Sequence, residues 1–324
     1  MKKLRVVSLF SGLGGMDLGL LGGFKYLNRN YNKNHITIKY AMDFEKKFCD
    51  IYNRNFLHKC HLKNIKYLNS SEVPNHDILI GGFPCQSFSV LAQNPKRLGY
   101  KDEKGKLFFE ICRILRDKKP RFFIVENVKG ILSANKKKAF PLIISEFEKS
   151  GYCIRFKLIN SVEFGVPQKR ERIFIVGFRK ITDFNKFKFP NGKTKNNPIP
   201  IKKILEKEST IDDHYYFSKK AINGLKNTKN YTSMNKGRHQ NINKPCNTVS
   251  SHLAKVSLNS TDPVLLINNK YRMFTPKEVA RIQSFPENFI LSGIKTIDYK
   301  ALGNAVPPIV MWKLTKEILK LLKN

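Results

Sequence analysis

The run Gly81-Gly82-Phe83-Pro84-Cys85-Gln86-Ser87 directly follows a short apolar stretch, His76 to Ile80. An apolar stretch bounded by glycine and proline predicts a buried strand that ends in a tight turn. The turn places Cys85 at the end of that strand, the edge at which open α/β sheets bind their ligands. Buried structural cysteines are common. The glycine- and proline-rich context nevertheless makes Cys85 a candidate nucleophile.

A second apolar run, Phe122 to Val125, is followed by Glu126-Asn127-Val128. Burial at a strand end raises the pKa of a carboxyl group, so Glu126 is a candidate proton donor, although it could also be a structural carboxylate. A third site lies in Gln168-Lys169-Arg170-Glu171-Arg172, just before another apolar run. These arginines could orient Glu126 or hold phosphate, or they could form a solvated charged face.

Apolar runs alternate with helical patterns up to about residue 180, which predicts an α/β fold with a doubly wound, mostly parallel sheet. The predicted strands are Leu4–Phe10, Ile36–Met42, Asp77–Ile80, Phe122–Val125, Ile154–Ile159 and Ile173–Phe178. From about Ile181 to Lys270 the chain is rich in Lys, Asn, Ser and Pro, which predicts a smaller, irregular domain. We therefore predict a catalytic and cofactor-binding domain at 1–180, a second domain at 181–270, and a segment at 271–324 that returns to the first.

The first predicted strand runs into Phe10-Ser11-Gly12-Leu13-Gly14-Gly15. A glycine turn at this point typically holds a nucleotide, because glycine lets the backbone approach the ligand closely. Asp17 stands where the third glycine of a dinucleotide motif would be, which favours an adenosine ligand without a pyrophosphate. Asp43 and Phe44 end the second strand. They could accept the ribose hydroxyls and stack on adenine, although Asp43 could instead cap the helix that follows.

The formal net charge is +35, from 60 Lys and Arg against 25 Asp and Glu, which favours a nucleic-acid partner. An AT-rich coding sequence would also raise the lysine content. No apolar run approaches the roughly 18 residues of a membrane span. The cysteines at 49, 60, 85, 112, 153 and 246 show no C-x-x-C spacing, which predicts no metal site and free thiols in a reducing compartment. Cys60-His61 is interpreted as surface, and Cys112 as a core residue.

Taken in order, these motifs resemble the DNA cytosine-5 methyltransferase family of bacterial restriction–modification type. The matching blocks are Phe10 to Gly15, Phe83 to Gln86, Glu126 to Val128, Gln168 to Arg172, Arg272 to Pro286 and Gly303 to Val306. They cover roughly residues 4–180 and 270–324, and six motifs in the same order are far more specific than any one of them. The resemblance implies the Rossmann-like fold of S-adenosylmethionine-dependent methyltransferases, with residues 181–270 as the target recognition domain.

The resemblance also implies S-adenosylmethionine as methyl donor, S-adenosylhomocysteine as product, and no metal. The implied cofactor pocket comprises Phe10, Ser11, Gly12, Leu13, Gly14, Gly15, Asp43, Phe44, Asn64, Ile65, Pro84, Leu107, Asn304 and Ala305. Asn64 departs from the family pattern, which places an acid before this isoleucine to accept from the adenine amino group. The amide oxygen of Asn64 can accept the same hydrogen bond.

The reaction implied is covalent attack by Cys85 on a flipped cytosine, with Glu126 as proton donor and with Arg170 and Arg172 supporting the base and Glu126. The implied DNA contacts are Gln86, Ser89, Arg97, Thr248 and Val249. We expect a monomer acting on double-stranded DNA in the bacterial cytoplasm, with a possible cognate restriction endonuclease that shares its site without forming a stable complex.

Two alternatives remain open at this stage. A transfer-RNA cytosine-5 methyltransferase would use the same motifs, but the segment from 181 to 270 is larger than a loop target requires. A DNA-binding regulator without catalysis would not need Cys85, Glu126 and Arg172 together.

Overall fold

A seven-stranded, mostly parallel sheet forms the centre of the protein, in the strand order β5-β4-β1-β6-β7-β9-β8. The structure is a computed structural model, and it describes residues 3–84, 106–226, 239–255 and 262–322. The first five strands of that order run parallel, whereas β9 is antiparallel to both β7 and β8. The α/β prediction is confirmed.

All six predicted strands are present, with small changes at their ends. The sheet strands are β1 (Leu4–Leu9), β4 (Ile36–Asp43), β5 (Cys60–Leu62), β6 (Ile78–Gly82), β7 (Phe122–Val128), β8 (Cys153–Asn160) and β9 (Glu171–Phe178). Two hairpins complete the set: β2 (Phe24–Tyr26) with β3 (Arg29–Tyr31), and β10 (Leu265–Ile267) with β11 (Lys270–Arg272).

Helices cover both faces of the sheet, as a parallel sheet requires. They are α1 (Gly15–Leu21), α2 (Lys46–Asn55), α3 (Lys106–Lys118), α4 (Ala139–Lys149), α5 (Ile181–Lys186), α6 (Lys219–Lys226), α7 (Pro276–Ile282), α8 (Lys295–Asn304) and α9 (Pro308–Lys320). The predicted start at Thr275-Pro276 is confirmed: the Thr275 side chain and Glu278 form a capping box, and proline occupies the first turn.

Alternate residues of β7 point to opposite faces, and each face has its own hydrophobic cluster. Phe122 and Ile124 pack in the cluster that includes α1 and α9, whereas Phe123 and Val125 pack in the one that includes α3 and α4. Cys112 belongs to the second cluster, as predicted. Because both faces are buried, the strands are continuous apolar runs, which is why they are visible in the sequence.

A third hydrophobic cluster joins the irregular segment to the C-terminal helices. It contains Ile201 and Val249 from that segment, Phe285 and Leu302 from the C-terminal part, and Ile51 of α2. The segment therefore packs directly against the glycine-turn end of the sheet. Its beginning, α5, lies against the sheet, where Asp183 accepts two hydrogen bonds from Arg121. The boundaries at 180 and 270 stay a prediction.

The interpretation of Cys60 as a surface residue is wrong. Cys60 begins β5, pairs with Ala41 of β4 and is only 1% exposed, with its sulfur 3.5 Å from that of Cys49. A three-residue edge strand is too short to show a periodic pattern, so its buried face is not visible in the sequence. In the part of the chain that the structure describes, no helix has the length and apolar character needed to cross a bilayer.

Candidate active site

The carboxyl ends of β6 and β7 bring the two central motifs side by side. Gly82 and Glu126 are paired in register across these strands. A Cβ atom added to Gly82 would lie 3.4 Å from Oε2 of Glu126, so the carboxyl group lies over the last residue of β6. Cys85, three positions beyond Gly82, falls outside the described residues, as do Gln86, Ser89 and Arg97. Their roles stay predictions.

Glu126 forms an ion pair with an arginine of the neighbouring strand. The distance from Nε of Arg172 to Oε1 of Glu126 is 3.1 Å, and both side chains are largely buried. Burial raises the pKa of Glu126, while the positive charges of Arg172 and then Arg170 partly offset this rise. The result is a carboxyl group that retains its proton to a higher pH than an exposed glutamate does, yet is held in one orientation.

Asn127 connects this carboxylate strand to the segment that leads to Cys85. Its side-chain Nδ2 donates to the carbonyl of Phe83 at 2.9 Å, and its Oδ1 accepts from the N–H of Val128 at 2.8 Å. Asn127 is 3% exposed. Sequence reasoning quoted this residue within the Glu126 motif but gave it no role. The buried amide of Asn127 connects the ends of β6 and β7. It therefore fixes the position of Phe83, two residues before Cys85, relative to Glu126.

Arg170 is the first arginine of its motif, and it holds two distant backbone segments together. Its Nη1 donates to the carbonyl of Val249 at 3.0 Å, and its Nη2 donates to the carbonyl of Gly303 at 2.9 Å. Burial and the nearby charge of Arg172 lower the pKa of Arg170, and Glu126 partly offsets this. Arg170 therefore acts on Glu126 through its charge, and its observed hydrogen bonds position the backbone.

Two buried glutamines also connect these two backbone segments, which contain Val249 and Gly303. We call this contact the junction. Oε1 of Gln168 accepts from the N–H of Val249 at 2.9 Å, and its Nε2 donates to Oε1 of Gln283 at 2.8 Å. Gln283 in turn donates to the carbonyl of Leu302 at 2.6 Å. The backbones come so close that a Cβ atom on Gly303 would lie 2.2 Å from the carbonyl oxygen of Ser250. Glycine is therefore required at this position.

Thr248 and Val249 lie at the surface edge of this junction. The hydroxyl of Thr248 donates to the carbonyl of Lys169 at 2.7 Å, and the Thr248 side chain is exposed, whereas Val249 is fully buried. The structure thus ties the predicted DNA-contacting pair to the arginine motif. Val249 itself acts as an anchor through its backbone and its buried side chain.

The glycine turn after β1 has the conformation that its glycines allow. Phe10, Gly12 and Gly14 all have positive φ, at 54°, 57° and 94°. A Cβ atom on Gly14 would lie 2.3 Å from the ring of Phe56, and the N–H of Ser11 donates to the carbonyl of Met42 at 3.0 Å. The ring of Phe56 therefore packs against the turn, and a backbone hydrogen bond connects the turn to the end of β4.

Asp43 makes the local turn contact that the sequence allowed and also holds the glycine turn, while its contact with the ribose stays a prediction. Its Oδ1 accepts from the N–H of Glu45 at 2.9 Å, which is the local turn before α2, and its Oδ2 accepts from the N–H of Gly12 at 2.8 Å. Burial raises the pKa of Asp43, and these backbone donors partly offset the rise. A carboxylate has about four acceptor sites, so Asp43 keeps acceptor capacity for a ligand.

The residues around the glycine turn have chemistry that is compatible with an adenosine ligand. Phe44 follows Asp43 and is 65% exposed, which leaves a ring face available for stacking. A Cβ atom on Gly12 would meet nothing within 4 Å, so this side of the turn is open. Phe10 and Leu107 are partly buried against the cluster that contains Ile65. The residues Phe10 to Gly15 include no basic side chain for a pyrophosphate.

The remaining predicted cofactor residues lie after β5, after β6 and at the end of α8. Oδ1 of Asn64 accepts from the N–H of Lys66 at 3.1 Å, and Ile65 beside it is buried. Pro84 is half-buried after β6. Asn304 is exposed at the end of α8 and Ala305 is buried. A Cβ atom on Gly15 would lie 2.4 Å from the carbonyl oxygen of Val306, so the segment after α8 borders the glycine turn.

A glycine turn after β1 and a buried glutamate–arginine pair on β7 and β9, on a mostly parallel sheet with helices on both faces, agree with the α/β fold of methyltransferases. The model of the C-5 cytosine-specific DNA methylase family matches residues 4–320. The chain belongs to this family and is a DNA cytosine-5 methyltransferase.

Curated relatives agree with this assignment over almost the whole chain. The chain is similar to the Type II methyltransferase M1.ScrFI of Lactococcus lactis subsp. cremoris, with 33% identity over 99% of this chain and 79% of the relative. It is also similar to the Type II methyltransferase M.FnuDI of Fusobacterium nucleatum, with 33% identity over 97% of this chain and 94% of the relative.

Solved structures confirm the fold. The Entamoeba histolytica methyltransferase EhMeth superposes with a TM-score of 0.76 at 20% identity, covering 100% of both chains. S. pombe Dnmt2 methyltransferase gives a TM-score of 0.77 at 20% identity, over 99% of this chain and 100% of the other. Among the described residues, no group of three or more His, Cys, Asp or Glu side chains could hold a metal ion.

Replacing Asp43 with alanine is expected to weaken cofactor binding by about 1.5–3 kcal/mol, because two charge-assisted acceptor sites are lost and Gly12 loses its partner. Calorimetric titration with S-adenosylhomocysteine measures this effect. Asp50→Ala is the control, because Asp50 is exposed on α2 and forms an exposed ion pair with Lys46. Unchanged cofactor affinity in Asp43→Ala would mean that Asp43 serves only the local turn.

Proposed function

We propose that this enzyme transfers a methyl group from S-adenosylmethionine to carbon 5 of one cytosine within a specific sequence of duplex DNA. The observation that carries the proposal is the position of the Glu126–Arg172 pair over Gly82, three residues before Cys85. The reactive cytosine would then be held between a thiol and a buried acid. The family assignment favours DNA over transfer RNA, and an active enzyme over a regulator.

In the proposed mechanism, the thiolate of Cys85 attacks carbon 6 of the base, and the electron pair moves to carbon 5. Bound S-adenosylmethionine supplies an electrophilic methyl group for that carbon. Loss of the carbon 5 proton to a base and departure of the Cys85 thiolate then restore the aromatic ring. Glu126 protonates or hydrogen-bonds ring nitrogen 3 during the attack, which stabilises the negative charge that develops on the ring, and a transferred proton returns to Glu126 when the ring is restored.

The arginines have different proposed roles. Arg172 forms an ion pair with Glu126, so it would keep Glu126 in place, and it is proposed to hold the base carbonyl. Arg170 is 1% exposed, and it positions the backbone of Val249 and Gly303. The target atom is buried in duplex DNA, so the base must be flipped out, for which methyltransferases are a general example.

We propose that residues 181–270 read the DNA sequence. This segment supplies Thr248, which is exposed beside the arginine motif, and its many lysines favour phosphate contacts. Gln86, Ser89 and Arg97 are proposed to close around the flipped base. Because curated relatives are named Type II methyltransferases, we propose that the enzyme is the modification half of a restriction–modification system, acting as a monomer without a stable complex with an endonuclease.

Bisulfite sequencing of a methylation-free bacterial host that expresses the chain tests the proposal. We expect protected cytosines in one short sequence context and none in a host with the empty vector. Protected cytosines confined to transfer RNA, or none in a host with soluble enzyme, would contradict it.

The same readout tests the domain assignment. Residues 181–270 are replaced by the corresponding segment of a relative with a known target, and the hybrid is expected to protect the donor's sequence. A folded, active hybrid that still protects the original sequence would place recognition in the catalytic domain.

A further inference from the structure

Asp17, in the first turn of α1, is a fully buried acid that the proposed mechanism does not use. Its Oδ2 accepts from the hydroxyl of Ser8 at 3.0 Å, and its Oδ1 accepts from the hydroxyl of Tyr52 at 2.8 Å. Both carboxylate oxygens are therefore held by neutral donors. The hydroxyl of Tyr52 also lies 2.5 Å from Nε2 of His58.

A chain of hydrogen bonds connects Asp17 to the glycine turn after β1. The hydroxyl of Ser11 donates to the hydroxyl of Ser8 at 2.8 Å, and Ser11 is the second residue of the turn. The ring of Tyr52 also packs under Gly14, where an added Cβ atom would lie 3.0 Å away. Asp17 thus lies beneath the turn and is connected to it by two hydroxyl groups.

A buried carboxylate without a cation is costly, because desolvation is not repaid by a nearby positive charge. In the described part of the chain, no lysine or arginine forms an ion pair with Asp17, and no cation contributes to its electrostatic surroundings. Burial raises the pKa of Asp17 to about 6, against the effect of its hydrogen bonds with Tyr52 and Ser8. At neutral pH the ionised form therefore faces an environment that lacks a counter-charge.

We propose that Asp17 is a specificity-determining residue that favours the cationic methyl donor over the neutral product. The inference rests on the proposed cofactor. S-Adenosylmethionine carries a permanent positive charge on its sulfonium, and S-adenosylhomocysteine has a neutral thioether at the same position. The field of a buried negative charge beneath the turn stabilises the first and leaves the second nearly unaffected, which promotes product exchange after each methyl transfer.

The charge of Asp17 can be varied by changing the pH, because most titratable groups around it do not change their charge near pH 6. Burial raises the pKa of Tyr52 well above its usual value, and the pKa of Cys60 on β5 is also raised. Burial lowers the pKa of His58 to about 4, so this ring stays neutral above pH 5. Asp43 on β4 is also a buried acid with a raised pKa and contacts the same turn, so the pH profile of Asp17→Asn gives the contribution of Asp43 by itself.

The measurement is the ratio of the calorimetric affinities for S-adenosylmethionine and S-adenosylhomocysteine, without DNA. In Asp17→Asn we expect the preference for the charged compound to fall by a factor on the order of ten, with the affinity for the neutral compound nearly unchanged. In the wild type the same preference should be lost as the pH falls through about 6, where Asp17 takes up a proton. Asp50→Asn is the control and should keep the wild-type ratio at every pH.

Tyr52→Phe supplies a second variant that keeps the charge. It removes a hydrogen bond that lowers the pKa of Asp17, so the midpoint of the pH profile should move upward while the preference at pH 8 remains. If Asp17→Asn does not fold, the inference is tested by the pH dependence of the affinity ratio in the wild type and in Tyr52→Phe. An unchanged ratio in Asp17→Asn, or a wild-type ratio independent of pH between 5 and 8, would overturn the inference. Failure to bind either compound would instead contradict the proposed cofactor.

Discussion

Replacing Cys85 with serine is expected to abolish covalent capture of DNA that carries 5-fluorocytosine at the target position. The wild type should form an adduct that survives denaturation, because fluorine at carbon 5 cannot leave as a proton and the enzyme remains bonded to carbon 6. A serine hydroxyl is a far weaker nucleophile than a thiolate at neutral pH. Denaturing electrophoresis of the enzyme with the labelled duplex and S-adenosylmethionine measures the adduct.

The control for this experiment is Cys153→Ser. Cys153 is a half-buried thiol at the start of β8, remote from the β6 strand end, and its loss should leave the adduct yield unchanged. Cys85→Ser should still bind S-adenosylhomocysteine with wild-type affinity, which shows that the protein is folded. An adduct of equal yield in Cys85→Ser would assign the covalent bond to another residue.

The strands of the central sheet could be predicted because both faces of the sheet are covered. Each of the six longer strands is a run of apolar residues flanked by polar ones, and the structure changes their ends by only a few residues. The hairpin of β2 and β3 was not predicted. Its strands have three residues each, and its turn depends on positive φ at Leu27 and Asn28, which no glycine signals.

The proximity of Glu126 to Arg172 could be anticipated, because both motifs adjoin apolar strands whose ends meet at one edge of the sheet. The contact between Gln168 and Gln283 could not, since 115 positions separate them and a single glutamine carries no pattern. In the sequence, Asp17 is visible only as an interruption of a glycine motif. Its buried hydrogen bonds depend on Tyr52, which the packing of α2 brings under the turn.

Replacing Glu126 with glutamine is expected to lower the rate of methyl transfer by about 10²–10⁴-fold, the usual contribution of a general acid. Glutamine has nearly the same shape and can still donate a hydrogen bond to ring nitrogen 3, but it cannot transfer a proton. The affinity for target DNA should therefore change little. Single-turnover transfer of a tritiated methyl group separates the chemical step from binding and product release.

Glu171→Gln is the matched control, because Glu171 begins the same strand as Arg172 but forms an exposed ion pair with Lys129. Its rate should stay within about twofold of the wild type, since exposed pairs contribute little.

The pH dependence of the chemical rate gives a further distinction. Burial raises the pKa of Glu126, so the wild-type chemical rate should fall as the pH rises through that value and the carboxyl loses its proton. The glutamine of Glu126→Gln has no proton to lose, so its chemical rate should not show this fall at high pH, the alkaline limb of the profile. If Glu126→Gln kept both the wild-type rate and the same alkaline limb, the carboxylate would only hold Arg172 in place, and the proton would have to come from another group.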